Sequence, residues 1–135
     1  MASDSLSKIK LTTKNYLVEA KMRNHFTVLD RPIDKKGGDA GPTPIEYLLT
    51  AIAGCVAMTL RIYLERKKWD VGCINVEVNL KEKLTQKGIE KLITEEISFE
   101  NEISENQKKE LLRIAATCPV VKMVKGETKV VSTII

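Results

Sequence analysis

The sequence predicts an α+β domain in which a mostly antiparallel sheet wraps around two central helices. Three observations lead there. The hydrophobic period runs from two to helical and back, giving the order strands, helix, hairpin, helix, strand. The stretch from Leu48 to Leu60 holds no charged residue and is bounded by capping signals. Two alternating runs, Val71 to Leu84 and Ile89 to Phe99, flank a short turn. A chain of 135 residues is one domain, 1–135, large enough to bury a single core.

Ile9-Lys10-Leu11-Thr12-Thr13 alternates and Lys14-Asn15 can turn. Tyr16 to Leu29 then supplies further strands through Val18, Ala20, Met22, Phe26 and Val28. Asp30 to Pro44 carries Pro32, Gly37, Gly38, Gly41 and Pro42, the composition of a loop. Thr43 as N-cap, Pro44 at the first helical position and Glu46 three residues after Thr43 form a capping box, so a helix starts here. It runs to about Lys67, where Arg66-Lys67-Lys68 sets cations against the negative helix end. Its uncharged run is shorter than the roughly 20 residues of a membrane span, so the expectation is a helix buried on all sides. One sheet of this size covers such a helix poorly, and a second copy of the chain is expected to cover the rest.

In the hairpin, Ile74, Val76, Val78 and Leu80 share one face, with Thr85-Gln86-Lys87-Gly88 as the turn. Ser104 and Gln107 form a second capping box, opening a helix with Leu111, Leu112, Ala115 and Cys118 on one side. Pro119 ends it or starts a new turn, and Thr128 to Ile135 is expected to close the chain as a strand.

The charge of +4 is modest, and Lys35-Lys36, Arg66-Lys67-Lys68 and Lys108-Lys109 are dispersed, so no nucleic-acid face is expected. Residues 1–7 show no cationic start followed by an apolar run, which places the expected location in the reducing cytoplasm. Three cysteines without a Cys-x-x-Cys pair do not make a disulfide framework. His25 is the single histidine, which argues against zinc.

Two of the thiols stand out. Cys55 lies on the helical stripe Leu48, Ile52, Cys55, Thr59, beside the small residues Ala51, Ala53 and Gly54, which leave room next to the sulfur. Cys118 precedes Pro119, where backbone N–H groups at a new helix start favour a thiolate. Free cysteine is also among the most buried residue types, so for either position taken alone packing is the stronger account. Cys73, beside Asn75 and Glu77 on the polar face of its strand, reads as incidental. Trp69 reads as a packing plug and His25 as structural.

The helix start Gly41-Pro42-Thr43-Pro44-Ile45-Glu46-Tyr47-Leu48-Leu49, the approach Ala53-Gly54-Cys55 and the later Cys118-Pro119-Val120 resemble the OsmC/Ohr superfamily, in its less characterised OsmC-like branch. The resemblance covers nearly the whole chain. It implies an intertwined homodimer with sites at the subunit interface, and a thiol-dependent peroxidase reducing organic or lipid hydroperoxides through Cys55 and Cys118. No bound cofactor is then needed, only an external thiol or dithiol reductant. The resemblance further implies an arginine near the reactive thiol, for which Arg23 is the best-placed candidate and Arg31 the alternative. In the peroxidases a glutamate directly follows the proline matching Pro44. Here that residue is Ile45, and Glu46, turned about 100° around the helix, is accounted for by the capping box. The other reading is therefore an OsmC-like dimer that binds an apolar small molecule without peroxide turnover.

Overall fold

The computed structural model describes residues 5–126 and 128–135. Strands β1 (Lys8–Leu11), β2 (Val18–Met22) and β3 (His25–Leu29) form a three-stranded antiparallel sheet in that order. Pairing of Ile9 with Ala20 and of Ala20 with Thr27 fixes the register. Only Ala20 among these strand residues is buried. Arg23 and Asn24 make the two-residue turn between paired Met22 and His25, with Arg23 at φ 54°.

The loop that follows is organised around a carboxylate. Asp30, 4% exposed, accepts hydrogen bonds from the backbone N–H of Arg31 at 2.7 Å and Ala40 at 3.1 Å. The Ala40 and Arg31 amides hold its pKa below the usual carboxylate range against the cost of desolvation, so the clamp stabilises fully above that range and its contribution is lost as pH falls through the lowered folded value. A short 3-10 turn, Ile33–Lys35, sits inside the loop. Gly37 passes so near the chain that a Cβ there would lie 1.9 Å from the Arg31 carbonyl oxygen, which excludes any side chain.

Helix α1 spans Pro44–Lys67. Its capping box forms as the sequence implies: the Glu46 N–H donates to Thr43 Oγ1 at 3.2 Å and the Thr43 N–H to Glu46 Oε1 at 2.9 Å. Tyr47 in the first turn reaches β3, donating to the Val28 carbonyl at 2.9 Å and meeting the Thr27 hydroxyl. At the other end Lys68 adopts φ 57°, the Trp69 N–H returns to the Leu64 carbonyl and the Lys68 N–H to that of Glu65. This is a Schellman ending, with lysine where glycine is the commoner choice. Trp69 stacks edge-on against Tyr63 at 5.9 Å between ring centroids, the packing role expected for it.

The chain divides into two compact units between Leu48 and Leu49, inside α1. In the second unit β4 (Ile74–Thr85) and β5 (Gly88–Phe99) pair antiparallel along their whole length. Gly88 closes the turn at φ 116°. Ile74, Val76, Val78, Ile93, Ile97 and Phe99 pack against the core, whereas Leu84, Ile89 and Leu92 at the far end of the hairpin are exposed. Helix α2 (Glu105–Ala115) opens with the expected Ser104–Gln107 capping box. Helix α3 (Pro119–Lys125) follows with Pro119 in its first turn. Ile52, Val56, Leu60 and Leu64 of α1 meet Leu111 and Ala115 of α2 and Val121 of α3 in one buried cluster.

Within the chain helix α1 is buried along one stripe only: Met58 is 71% and Ile62 59% exposed on the face that the core does not cover. The full helix, unlike its uncharged run, is also long and apolar enough to cross a bilayer by length and composition, yet this apolarity is partly spent on the core. The expected closing strand is corrected: Thr128–Ile135 forms no strand, and Val130 and Val131 are each 88% exposed. β-Branched composition favours a strand only where an edge is available to pair with, and among the described residues no edge takes this segment up.

Leu60 is fully buried at the centre of the cluster. Leu60→Ala is expected to lower unfolding free energy by about 2–5 kcal/mol in urea titrations with an unchanged denaturant slope. A loss well under about 1 kcal/mol would contradict the packing described.

Candidate functional site

Cys55 stands in the middle of α1, half-buried, between fully buried Val56 and Gly54. A Cβ built on Gly54 meets nothing within 4 Å, so the helix surface at the residue before Cys55 is open within the chain. Cys118 is fully buried in the core cluster that Cys55 packs against. It is the N-cap of α3, with non-helical backbone at ψ 126°, and its carbonyl accepts the Lys122 N–H at 3.0 Å. The break between α2 and α3 thus sets Cys118 beside Cys55, near enough for each thiol to shift the other's pKa. Both are free.

The pair is electrostatically unequal. Burial pushes the Cys55 thiol up, but hydrogen bonds from the Cys118 thiol, the Val120 N–H and the Thr59 hydroxyl together outweigh it, and the net shift is downward. Thr59 Oγ1 lies 3.9 Å from Cys55 Sγ, one helical turn on. The Cys118 thiol moves the opposite way: burial raises it most, the hydrogen bond to Cys55 adds to this, and the Val121 and Val120 N–H groups offset only part. The opposite directions of the two shifts favour Cys55 over Cys118 as the thiolate of the pair.

The linkage to stability has two signs. Cys55, with its lowered folded pKa, stabilises the fold above the unfolded thiol pKa, and this is lost as pH falls through the folded value. Cys118, with its raised pKa, stabilises below the unfolded value and loses that contribution as pH rises through the folded one.

The other residues singled out in the sequence fall elsewhere. Arg23 belongs to the first unit, in the β2–β3 turn and not on a strand, with its guanidinium 3.3 Å from the His25 ring. Arg31 lies over the Tyr16 ring at 4.7 Å. Cys73 is exposed, one residue before β4, and its N–H donates to Glu100 at 3.2 Å. Glu46 is engaged in the helix cap and Ile45 is exposed. Among the described residues no three His, Cys, Asp or Glu side chains gather as a metal site. A concavity of about 470 Å³ is lined by Ile97, Phe99, Ile103 and Lys108 and does not include the thiols. Thr59 and the Val120 amide were not legible as site groups. The four-residue spacing of Cys55 and Thr59 was the one available signal.

The family described as OsmC-like protein matches residues 37–133. No curated protein matches the sequence. Among solved structures, an OsmC like protein from Mycoplasma pneumoniae superposes with a TM-score of 0.73 at 21% identity, covering 93% of this chain and 90% of that one. An organic hydroperoxide resistance protein OsmC from Legionella pneumophila gives 0.69 at 16% identity over 93% and 92% of the two chains. The organic hydroperoxide resistance protein OhrB of Bacillus subtilis gives 0.66 at 13% over 92% of each. At these identities the likeness is one of fold.

The unequal thiols make a direct prediction. With limiting iodoacetamide on folded protein, Cys55 is expected to be modified at lower pH and faster than Cys118, as read by peptide mass spectrometry. Equal rates, or Cys118 leading, would overturn the assignment of the thiolate.

Proposed function

The chain belongs to the OsmC family, and on that premise we propose that it is a thiol-dependent peroxidase acting on organic hydroperoxides, with Cys55 attacking and Cys118 resolving. The observation that carries this reading is the pairing of a half-buried, acidified thiol with a buried, less acidic one. The names of the Legionella and Bacillus relatives, both organic hydroperoxide resistance proteins, point the same way.

The Cys55 thiolate attacks the terminal oxygen of R–O–O–H. The S–O bond forms, the O–O bond breaks, and RO⁻ leaves to take up a proton as the alcohol, while Cys55 is oxidised to the sulfenic acid. Cys118 then attacks that sulfur. The S–S bond forms, and hydroxide leaves with the Cys118 proton as water. Two thiol–disulfide exchanges with an external thiol or dithiol return both cysteines to the reduced state, which the reducing cytoplasm supplies. The apolar setting of the pair, against Ile52, Val56 and Leu111, favours a hydroperoxide with a hydrocarbon tail over hydrogen peroxide. Arg23 is the cation proposed to hold the peroxide, with Arg31 as the alternative.

The working unit is proposed to be a homodimer. Met58 and Ile62 on one face of α1, with Val130 and Val131, leave apolar surface exposed, as expected of a face that meets a second copy. Size-exclusion chromatography with light scattering is expected to give twice the chain mass, and a monomer at working concentration would remove this part of the proposal.

A second reading has a specific observation behind it. Ile45, 52% exposed, stands where the resemblance calls for a glutamate, and this favours a dimer that binds an apolar small molecule without turnover. Cumene hydroperoxide consumption with dithiothreitol separates the two. Wild type is expected to turn over, Cys55→Ser to lose at least about a hundredfold of the rate, as removal of an attacking group does, and Cys118→Ser to stop at a sulfenic acid that dimedone traps. Wild-type protein that consumes no hydroperoxide would leave the binding reading.

A further inference from the structure

Thr59 is half-buried on α1, one turn beyond Cys55, and its Oγ1 meets Cys55 Sγ at 3.9 Å. A helical threonine hydroxyl ordinarily turns back toward the carbonyl four residues earlier. The same rotameric reach brings it beside a side chain at that position, and here the side chain is the reactive thiol. With Cys55 as a thiol either group can donate. Once the sulfur is a thiolate it can only accept, so the hydroxyl must be the donor.

We propose that Thr59 is a catalytic residue of this site, its hydroxyl donating to the Cys55 sulfur and holding it as the attacking thiolate. This role rests on the peroxidase reading for its purpose. The Thr59 hydroxyl is in hydrogen-bond range of that sulfur, and the Cys118 thiol from the α2–α3 break and the Val120 amide from α3 act on it in the same direction, each lowering its pKa. Of these, only Thr59 shares a rigid helix with Cys55 and keeps its position when Cys118 moves to form the disulfide. After attack, when sulfur carries oxygen, the same hydroxyl is placed to hydrogen-bond the sulfenic acid until Cys118 condenses with it. Among the described residues Cys118 is the one titratable side chain that shifts Cys55, so no charged group stands in for the hydroxyl.

The test needs no hydroperoxide. In a Cys73→Ser background, iodoacetamide modification of Cys55 is followed against pH by peptide mass spectrometry for wild type, Thr59→Val and Thr59→Ser. Thr59→Val, which keeps the shape and removes the hydroxyl, is expected to move the midpoint to higher pH. At a fixed pH below the midpoint it should slow alkylation about two- to fivefold. The fall in rate is smaller than that in thiolate fraction, because a more basic thiolate is also more nucleophilic. Thr59→Ser, retaining the hydroxyl, should follow wild type. Thermal unfolding of each variant verifies that the fold is intact. A Thr59→Val midpoint that coincides with wild type would sink the proposal. So would a Thr59→Ser shift as large as that of Thr59→Val, since the missing methyl and not the hydroxyl would then be responsible. A moved midpoint without peroxide turnover would retain Thr59 as the thiolate's donor and remove the peroxidase reading instead. Turnover with an unmoved midpoint would do the reverse.

Discussion

Burial of one stripe of α1 against α2 and α3 is the constraint on which the rest depends. Ile52, Val56, Leu60 and Leu64 recur at the spacing of a single helix face, and Leu111, Ala115 and Val121 close over them. Cys55 sits at the margin of that stripe, half-buried, while Cys118 sits inside it. The packing that removes apolar surface from water is therefore also what brings two residues distant in sequence into contact. Their chemistry follows from unequal burial and unequal donors, not from any charged neighbour in the pair itself.

The break between α2 and α3 converts this packing into a site. Had the helix continued through residue 118, Cys118 would be one more apolar side chain on the face of Leu111 and Ala115. Pro119 has no N–H to give to the preceding turn, so regular helix stops and a new one begins. That restart leaves the amides of Val120 and Val121 in the first turn of α3 without helical acceptors, and their effect on the thiols is to lower the pKa. A single imino acid thus accounts both for the position of the second thiol and for the free amides beside the pair.

The N-terminal unit follows a different logic. Its strands bury little, and its order comes from polar detail: the Asp30 carboxylate gathering backbone amides, Gly37 against the Arg31 carbonyl, and Tyr47 bound to Val28. These contacts give the long loop before α1 a defined course although it contains almost no regular structure.

What the sequence determined by itself was local. Both capping boxes, Thr43 with Glu46 and Ser104 with Gln107, the β4–β5 turn at Gly88 and the restart at Pro119 are settled by residues within a few positions of one another. Such signals act through backbone geometry that needs no distant partner, and the family resemblance was legible for the same reason. Tertiary structure decided the rest. That Cys118 and the Val120 amide come to act on Cys55 depends on the α2–α3 break packing against α1, which no spacing encodes. That Met58 and Ile62 remain exposed, and that Thr128–Ile135 pairs with no strand, depends on which surfaces and edges the chain has left to offer. Propensity and periodicity state what a segment can cover or pair with. Only the folded neighbours determine whether there is anything there to meet it.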